Sequence, residues 1–104
     1  MIVGGSVTFA PGEVERLRPH LNDLIMATRE EPGCLLYSHA ARPEEPDTVI
    51  VFELWASDAA LRAHLKTPHV AAWYGQIKGA KVMGSHLHAY PFDETKRLRD
   101  FRDP

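Results

Sequence analysis

The chain has 104 residues, with 12 basic and 14 acidic side chains, a net charge of −2 and a single cysteine, Cys34. This charge balance gives no basic surface that would bind nucleic acid and no cationic patch that would bind a membrane surface. No apolar run reaches the roughly 20 residues that span a bilayer. One cysteine allows no internal disulfide and fits a reducing compartment, and the N-terminus MIVGGSVTF lacks the charged region of a signal peptide. We therefore expect one small cytoplasmic domain.

The first half of the chain predicts a strand, a helix and two further strands. Residues 2–9 are rich in β-branched side chains, which favours a strand. Apolar residues then recur every three or four positions until Glu-Pro-Gly at 31–33, which predicts an amphipathic helix that ends there. Strands follow at 34–41 and 48–55, joined by a turn at 42–47. The run TVIVFELW in the last strand is apolar almost throughout, which indicates burial on both faces.

The second half predicts two short helices, a strand and a tail. Ser57 is placed to cap a helix over 57–66, and Thr67, followed by proline, is placed to cap another. A fourth strand is predicted over 80–90, and 91–104 form a charged C-terminal tail.

Residues 1–90 thus predict the order strand–helix–strand–strand–helix–strand. This is the ferredoxin-like α+β plan, an antiparallel sheet with helices on one face. The other face of such a sheet is left uncovered, although the third strand is apolar on both sides. A second copy of the sheet is the simplest cover, so we expect a homodimer.

Two histidines, His64 and His69, lie close together in the sequence but are predicted to face different ways. One side of the first short helix carries a charged stripe, four residues apart: Asp58, Arg62 and Lys66. His64 lies opposite the stripe and should point inward, either as a hydrogen-bonded core histidine or as a site residue. His69 lies in the first turn of the next helix, where the exposed amides favour a neutral imidazole. Because the helix restarts at Thr67, we expect His69 to face solvent.

Three sequence blocks, EEPGCLLY, VFELWAS and ALRAHLKTPHVAAW, resemble the antibiotic biosynthesis monooxygenase (quinol monooxygenase-like) family. The resemblance covers about residues 2–90. The positions that match the family pattern are Cys34, Tyr37, Glu53, Trp55, His64 and His69. The resemblance implies a dimeric α+β barrel with a cavity in each subunit. It also implies oxidation of phenolic or polycyclic aromatic substrates by O₂ without metal, flavin or haem.

The matched residues suggest a base and its partner. Glu53 and Trp55 are two apart on a strand and share a sheet face, and a buried carboxylate needs a partner. His64 is the candidate partner, and a Glu53–His64 pair would orient a base for a phenolic proton. A purely structural pair would look the same. Aromatic walls for a substrate would come from Tyr37, Trp55, Trp73 and Tyr74.

Several alternatives stay open at this stage. A non-catalytic dimeric module that binds a small ligand fits the same pattern. The haem-degrading branch of the family fits less well, because the first strand lacks its Asn, and His64 and about Tyr74 occupy the positions of its Trp and its haem-ligating His.

The remaining reactive side chains favour simpler interpretations. His86 and His88 leave the same strand face and with His39 make a three-histidine metal site conceivable, but ordinary strand histidines are the simpler interpretation, and no metal is expected. Cys34 is expected to be an inert thiol.

Overall fold

The structure is a computed structural model that describes residues 1–92 and 94–101. The elements in chain order are β1 (Ile2–Phe9), α1 (Glu13–Arg29), β2 (Cys34–Arg42), β3 (Glu45–Trp55), α2 (Asp58–His64), α3 (Pro68–Ile77), β4 (Val82–Tyr90) and a 3₁₀ turn (Leu98–Phe101). The strands form one antiparallel sheet in the order β2-β3-β1-β4. This is the predicted ferredoxin-like α+β fold, which is confirmed.

The two faces of the sheet differ, and the difference is clearest along β3. Val49, Val51 and Trp55 are buried on the face that the helices cover. Ile50 and Phe52 alternate with them and are 36% and 42% exposed on the opposite face. Because side chains alternate along a strand, the apolar run of β3 supplies both faces while the helices cover one.

The caps predicted for the short helices are present. The Ser57 hydroxyl accepts a hydrogen bond from the amide of Ala60 at 3.0 Å, and the Thr67 hydroxyl accepts one from Val70 at 3.4 Å. The strand ends differ slightly from prediction. β3 begins at Glu45, because Glu45 already pairs with Arg42 across a tight turn. β4 begins at Val82, because the amide of Ala80 still bonds to the carbonyl of Ile77 and so belongs to the end of α3.

In residues 1–92 and 94–101 the buried core consists of two clusters between the sheet and the helices. Phe9, Val14, Leu17, Val49 and Val51 form the first, and Leu24, Tyr37, Trp55 and Val70 form the second. The partly buried Val3 and Trp73 pack against both clusters. The core is therefore divided, and these two side chains join its halves.

The predicted tail, 91–104, falls partly outside the described residues, at Asp93 and at 102–104. In its described part, the residues of the 3₁₀ turn Leu98–Phe101 are exposed. None of the helices in the described part of the chain is long and apolar enough to cross a membrane.

Candidate functional site

A cavity of about 470 Å³ lies between the helix-covered face of the sheet and helices α2 and α3. Most of its walls are aliphatic or aromatic side chains. The ionisable groups among its lining residues include Tyr37, His39, Glu53 and His64, which belong to β2, β3 and α2. Few polar groups in a mostly apolar concave site are typical of small-molecule binding.

Strand register brings the polar residues of β2 and β3 together. Tyr37 lies directly opposite Glu53 in the antiparallel ladder, and His39 is two residues further along the same face. The imidazole of His39 stacks on the Tyr37 ring, with centroids 4.5 Å apart. Nε2 of His39 lies 2.9 Å from one Glu53 oxygen, and the indole N–H of Trp55 donates to the other at 3.0 Å. Both oxygens of this buried carboxylate are thus satisfied.

His64 is the last residue of α2 and points into the domain, as predicted; it is 3% exposed. Its ring packs against Trp55 and Tyr37, with centroid distances of 4.5 and 5.4 Å. Nδ1 of His64 lies 2.7 Å from Oε2 of Glu31. An ionised carboxylate only accepts, so Nδ1 carries a proton, and in the neutral imidazole Nε2 then has a free lone pair. No group in residues 1–92 or 94–101 hydrogen-bonds to Nε2.

His69, in the first turn of α3, bonds to the same glutamate. Its Nε2 lies 2.7 Å from the Oε2 of Glu31 that His64 also contacts. The side chains of His64, Glu31 and His69 are 4%, 13% and 23% exposed. The three residues therefore form a chain of contacts from the cavity towards solvent.

A glycine explains how Glu31 reaches the helices. Gly33, in the turn between α1 and β2, packs so closely on α2 that a Cβ there would overlap the Cβ of Ala60. The Gly33 carbonyl also accepts a hydrogen bond from the amide of Ala56 at 2.9 Å. The absence of a side chain at this position lets the turn lie against the start of α2, which places Glu31 beside His64.

Two of the expectations for this region are wrong. The partner of His64 is Glu31 and not Glu53, because His39 and Trp55 occupy both oxygens of Glu53. His69 does not turn away from the domain, because Glu31 lies within hydrogen-bond distance of both imidazoles.

Three of the four aromatic residues expected in the cavity walls line the cavity, and one does not. Tyr37, Trp73 and the more exposed Tyr74 line the cavity. Trp55 is only 1% exposed and is not one of the lining residues; it lies behind His64, where its indole holds Glu53. Trp55 supports the wall and does not form it.

Burial and neighbouring charge shift two ionisation equilibria. Burial raises the pKa of the Tyr37 phenol, and the charge of Glu53 raises it further. Tyr37 therefore stays protonated at physiological pH. Burial, followed by the charges of Glu31 and Glu53, also raises the pKa of Cys34, which fits the expectation of an inert thiol.

The conceivable three-histidine site does not form. His39 lies opposite Val51 on the helix-covered face. His86 and His88 pair with Ser6 and Gly4, whose β3 partners lie on the uncovered face. By strand register, the side chains of His86 and His88 therefore leave the sheet face opposite to that of His39, although His88 is also among the residues that border the cavity.

Sequence reasoning missed Glu31, and it did not identify His39 as the partner of Glu53. His39 had a usable signal, since it shares the strand face of Tyr37. Glu31 lies in a turn, where no periodicity indicates which way a side chain points, and its contact with His64 spans 33 positions.

Fold and site together define a small α+β protein with a mostly apolar cavity and two carboxylates, Glu53 and Glu31, that histidines contact. The family model for antibiotic biosynthesis monooxygenases matches residues 1–76, and the chain belongs to this family.

Similar proteins are found both by sequence and by structure. The uncharacterised protein sll1783 of Synechocystis is 26% identical over 98 residues, which are 94% of this chain and 67% of that protein. Escherichia coli YgiN, named as a probable quinol monooxygenase, is 47% identical over 34 residues, a stretch that covers 33% of each protein. A Deinococcus radiodurans structure assigned to the antibiotic biosynthesis monooxygenases superposes with a TM-score of 0.81 at 27% identity, covering 94% of this chain and 98% of that one. A Bacteroides thetaiotaomicron structure with the same assignment gives 0.80 at 26% identity, covering 94% of each chain.

Proposed function

We propose that this protein is a cofactor-independent monooxygenase that oxidises phenolic, hydroquinone-type or polycyclic aromatic substrates with O₂ inside the 470 Å³ cavity. The observation that carries the proposal is the free Nε2 of His64, a cavity-lining histidine whose other nitrogen is held by Glu31. Family membership supports the reaction class. The aromatic walls support the substrate class.

In this mechanism His64 is the general base. Its Nε2 accepts the proton of a phenol or of an acidic ring carbon, and the carboxylate of Glu31 lies beside the positive charge that then forms on the imidazole. The Nδ1 proton is already directed at Glu31, which in turn contacts His69. The neighbouring carboxylate thereby stabilises the imidazolium, which keeps the accepted proton for a later step.

The resulting anion is electron-rich enough to reduce O₂ directly. One electron passes to O₂, and the radical pair combines at a ring carbon to give a peroxide anion. The His64 imidazolium returns its proton to this anion, which gives a hydroperoxide. Loss of water then leaves a carbonyl. For an anthrone-type CH₂ group the balance is R₂CH₂ + O₂ → R₂C=O + H₂O, so one oxygen atom enters the product and the other leaves as water.

The remaining cavity groups would orient the substrate and stabilise its charge. Tyr37 stays a neutral phenol because its pKa is raised by burial and by Glu53, so its O–H can donate to an oxygen that becomes negative. Trp73 and Tyr74 supply flat surfaces on the α3 side. The aliphatic residues exclude water, which strengthens each of these polar interactions.

We also propose that the protein is a homodimer that buries the uncovered sheet face. Ile50 and Phe52 are exposed at the centre of that face, together with Leu36 at 45% and Tyr90 at 54%. An exposed apolar patch of this kind marks an interaction surface. Light scattering should give about twice the 11.7 kDa chain mass, and Phe52→Glu should give a monomer or abolish folding. A folded wild-type monomer at micromolar concentration would exclude this interface.

Oxygen consumption tests the reaction. The purified protein is supplied with hydroquinones and anthrones in buffer with a metal chelator. We expect turnover of at least one compound, and a loss of about 10²–10⁴-fold in His64→Ala, the contribution of a general base. His86→Ala is the matched control, because His86 lies on the opposite sheet face. Full activity in His64→Ala, or complete inhibition by the chelator, would contradict the mechanism, and binding of the compounds without oxygen uptake would favour a ligand-binding module.

A further inference from the structure

The carboxylate between the two histidines belongs to a set of three potential metal ligands. Oε2 of Glu31 lies 2.7 Å from Nδ1 of His64 and 2.7 Å from Nε2 of His69. The ligand atoms of all three residues lie within 4.8 Å of one another. The three come from different parts of the chain, the turn before β2, the end of α2 and the start of α3, so the fold itself assembles them.

Two imidazoles and one carboxylate are a ligand set that suits Zn²⁺ and similar divalent transition ions. Zinc binds such atoms at about 2.0–2.2 Å, which places neighbouring ligands of a tetrahedral site roughly 3.3 Å apart. The two contacts of Glu31, each 2.7 Å, are shorter than this by about 0.6 Å, and all three ligand atoms lie within 4.8 Å of one another. Ion binding therefore requires rotations of these three side chains.

One of the three ligands also borders a second cavity. His69 borders a second cavity of about 250 Å³ between α1 and α3, which has His20, Asp23 and Gln76 among its lining residues. The second cavity shares Leu24 and Trp73 with the walls of the substrate cavity, and of the three ligands it contacts His69.

We propose that Glu31, His64 and His69 form a binding site for Zn²⁺ or a similar divalent transition ion, with water as the fourth ligand. In the bound state Nδ1 of His64 coordinates the ion, so the neutral imidazole carries its proton on Nε2. His64 can then no longer accept a proton from a substrate. Zinc therefore inhibits the oxygenase; this consequence, unlike the binding itself, rests on the proposed function.

Binding is measured without any substrate. Metal-free full-length protein is titrated with Zn²⁺ by calorimetry and with Co²⁺ by visible absorption, where a tetrahedral or five-coordinate ion gives d–d bands. We expect one ion per chain. Glu31→Gln, which keeps the side-chain volume, and His69→Ala, at a partly exposed position, should each weaken binding about tenfold or more. His86→Ala/His88→Ala, which removes the His-x-His pair on the opposite sheet face, is the control and should bind normally.

The results of these measurements distinguish a failure of the metal site from a failure of the proposed reaction. No binding, binding that survives both Glu31→Gln and His69→Ala, or binding lost in the His86/His88 control would overturn the site. Circular dichroism identifies a variant that has not folded; in that case a Zn²⁺ X-ray absorption spectrum of the wild type decides, because two nitrogen ligands with imidazole scattering are expected. Zinc binding without any oxygen uptake would leave the site standing and reject the proposed reaction.

Discussion

The coupling free energy between His64 and each glutamate shows which of the two is hydrogen-bonded to it. We compare two double-mutant cycles, Glu31→Gln with His64→Ala and Glu53→Gln with His64→Ala. In the structure Nδ1 of His64 is 2.7 Å from Glu31, while Glu53 bonds to His39 and Trp55. The first pair should therefore be coupled directly. The second pair can be coupled only through the packing of intervening side chains.

The expected magnitude follows from the burial of the contact. A hydrogen bond to a charged group contributes about 1.5–3 kcal/mol and a neutral one about 0.5–1.5 kcal/mol. The side chains of His64 and Glu31 are 4% and 13% exposed, so solvent screens the pair little. Replacing the carboxylate by an amide keeps one acceptor and removes the charge, so we expect a coupling of about 1–2 kcal/mol for the Glu31 cycle. For the Glu53 cycle we expect about 0.5 kcal/mol or less.

Urea unfolding of each protein, followed by circular dichroism at one fixed protein concentration, supplies the free energies. The fixed concentration matters because a dimer would make the apparent stability depend on it. His69→Ala in combination with Glu31→Gln provides an internal comparison, since His69 contacts the same oxygen. A larger coupling in the Glu53 cycle than in the Glu31 cycle would refute the assignment of Glu31.

Three further predictions concern other parts of the site. Gly33→Ala should destabilise the fold by about 1–3 kcal/mol through overpacking, because the new Cβ overlaps that of Ala60. In urea unfolding, adding Ala60→Gly should recover part of this loss. If Gly33→Ala costs the same stability in the wild type and in the Ala60→Gly background, the packing argument is wrong. Because the pKa of Tyr37 is raised by burial and by Glu53, the unfolded state releases this proton first as the pH rises. Stability should then fall by about 1.4 kcal/mol per pH unit above about pH 10, and a Tyr37→Phe variant with the same slope would argue against it. The raised pKa of Cys34 predicts slow alkylation by iodoacetamide at pH 8 and fast alkylation in urea; equal rates would show that the folded environment does not protect the thiol.

The fold was predictable from the sequence because its signals are local. The apolar run of β3, the period of α1 and the caps at Ser57 and Thr67 each depend on a few neighbouring residues, and the structure has the expected strand, helix and caps there. The inward direction of His64 followed from the same periodicity.

The pairing of the site residues was not predictable in the same way. It depends on the register between β2 and β3, which puts Tyr37 opposite Glu53 and so brings His39 within reach of that carboxylate. It also depends on the close packing of Gly33 on Ala60, which aims Glu31 at α2. Both are contacts between positions far apart in the sequence. The sequence alone therefore did not show which of two glutamates, Glu31 or Glu53, is the hydrogen-bond partner of His64.

Because cavity-lining residues join the two core clusters, a ligand bound in the cavity should raise the melting temperature of the protein. Val3 and Trp73 pack against both core clusters and also line the cavity. A molecule that fills the cavity would touch the same two side chains and add contacts that the unfolded chain cannot make. At a concentration of 100 times its dissociation constant, such a ligand stabilises the folded state by about 2.7 kcal/mol, which raises the melting temperature of a domain of this size by roughly 10 °C or more. The melting temperature thus reports occupancy directly, and a compound library can be screened for the natural ligand before any turnover has been observed.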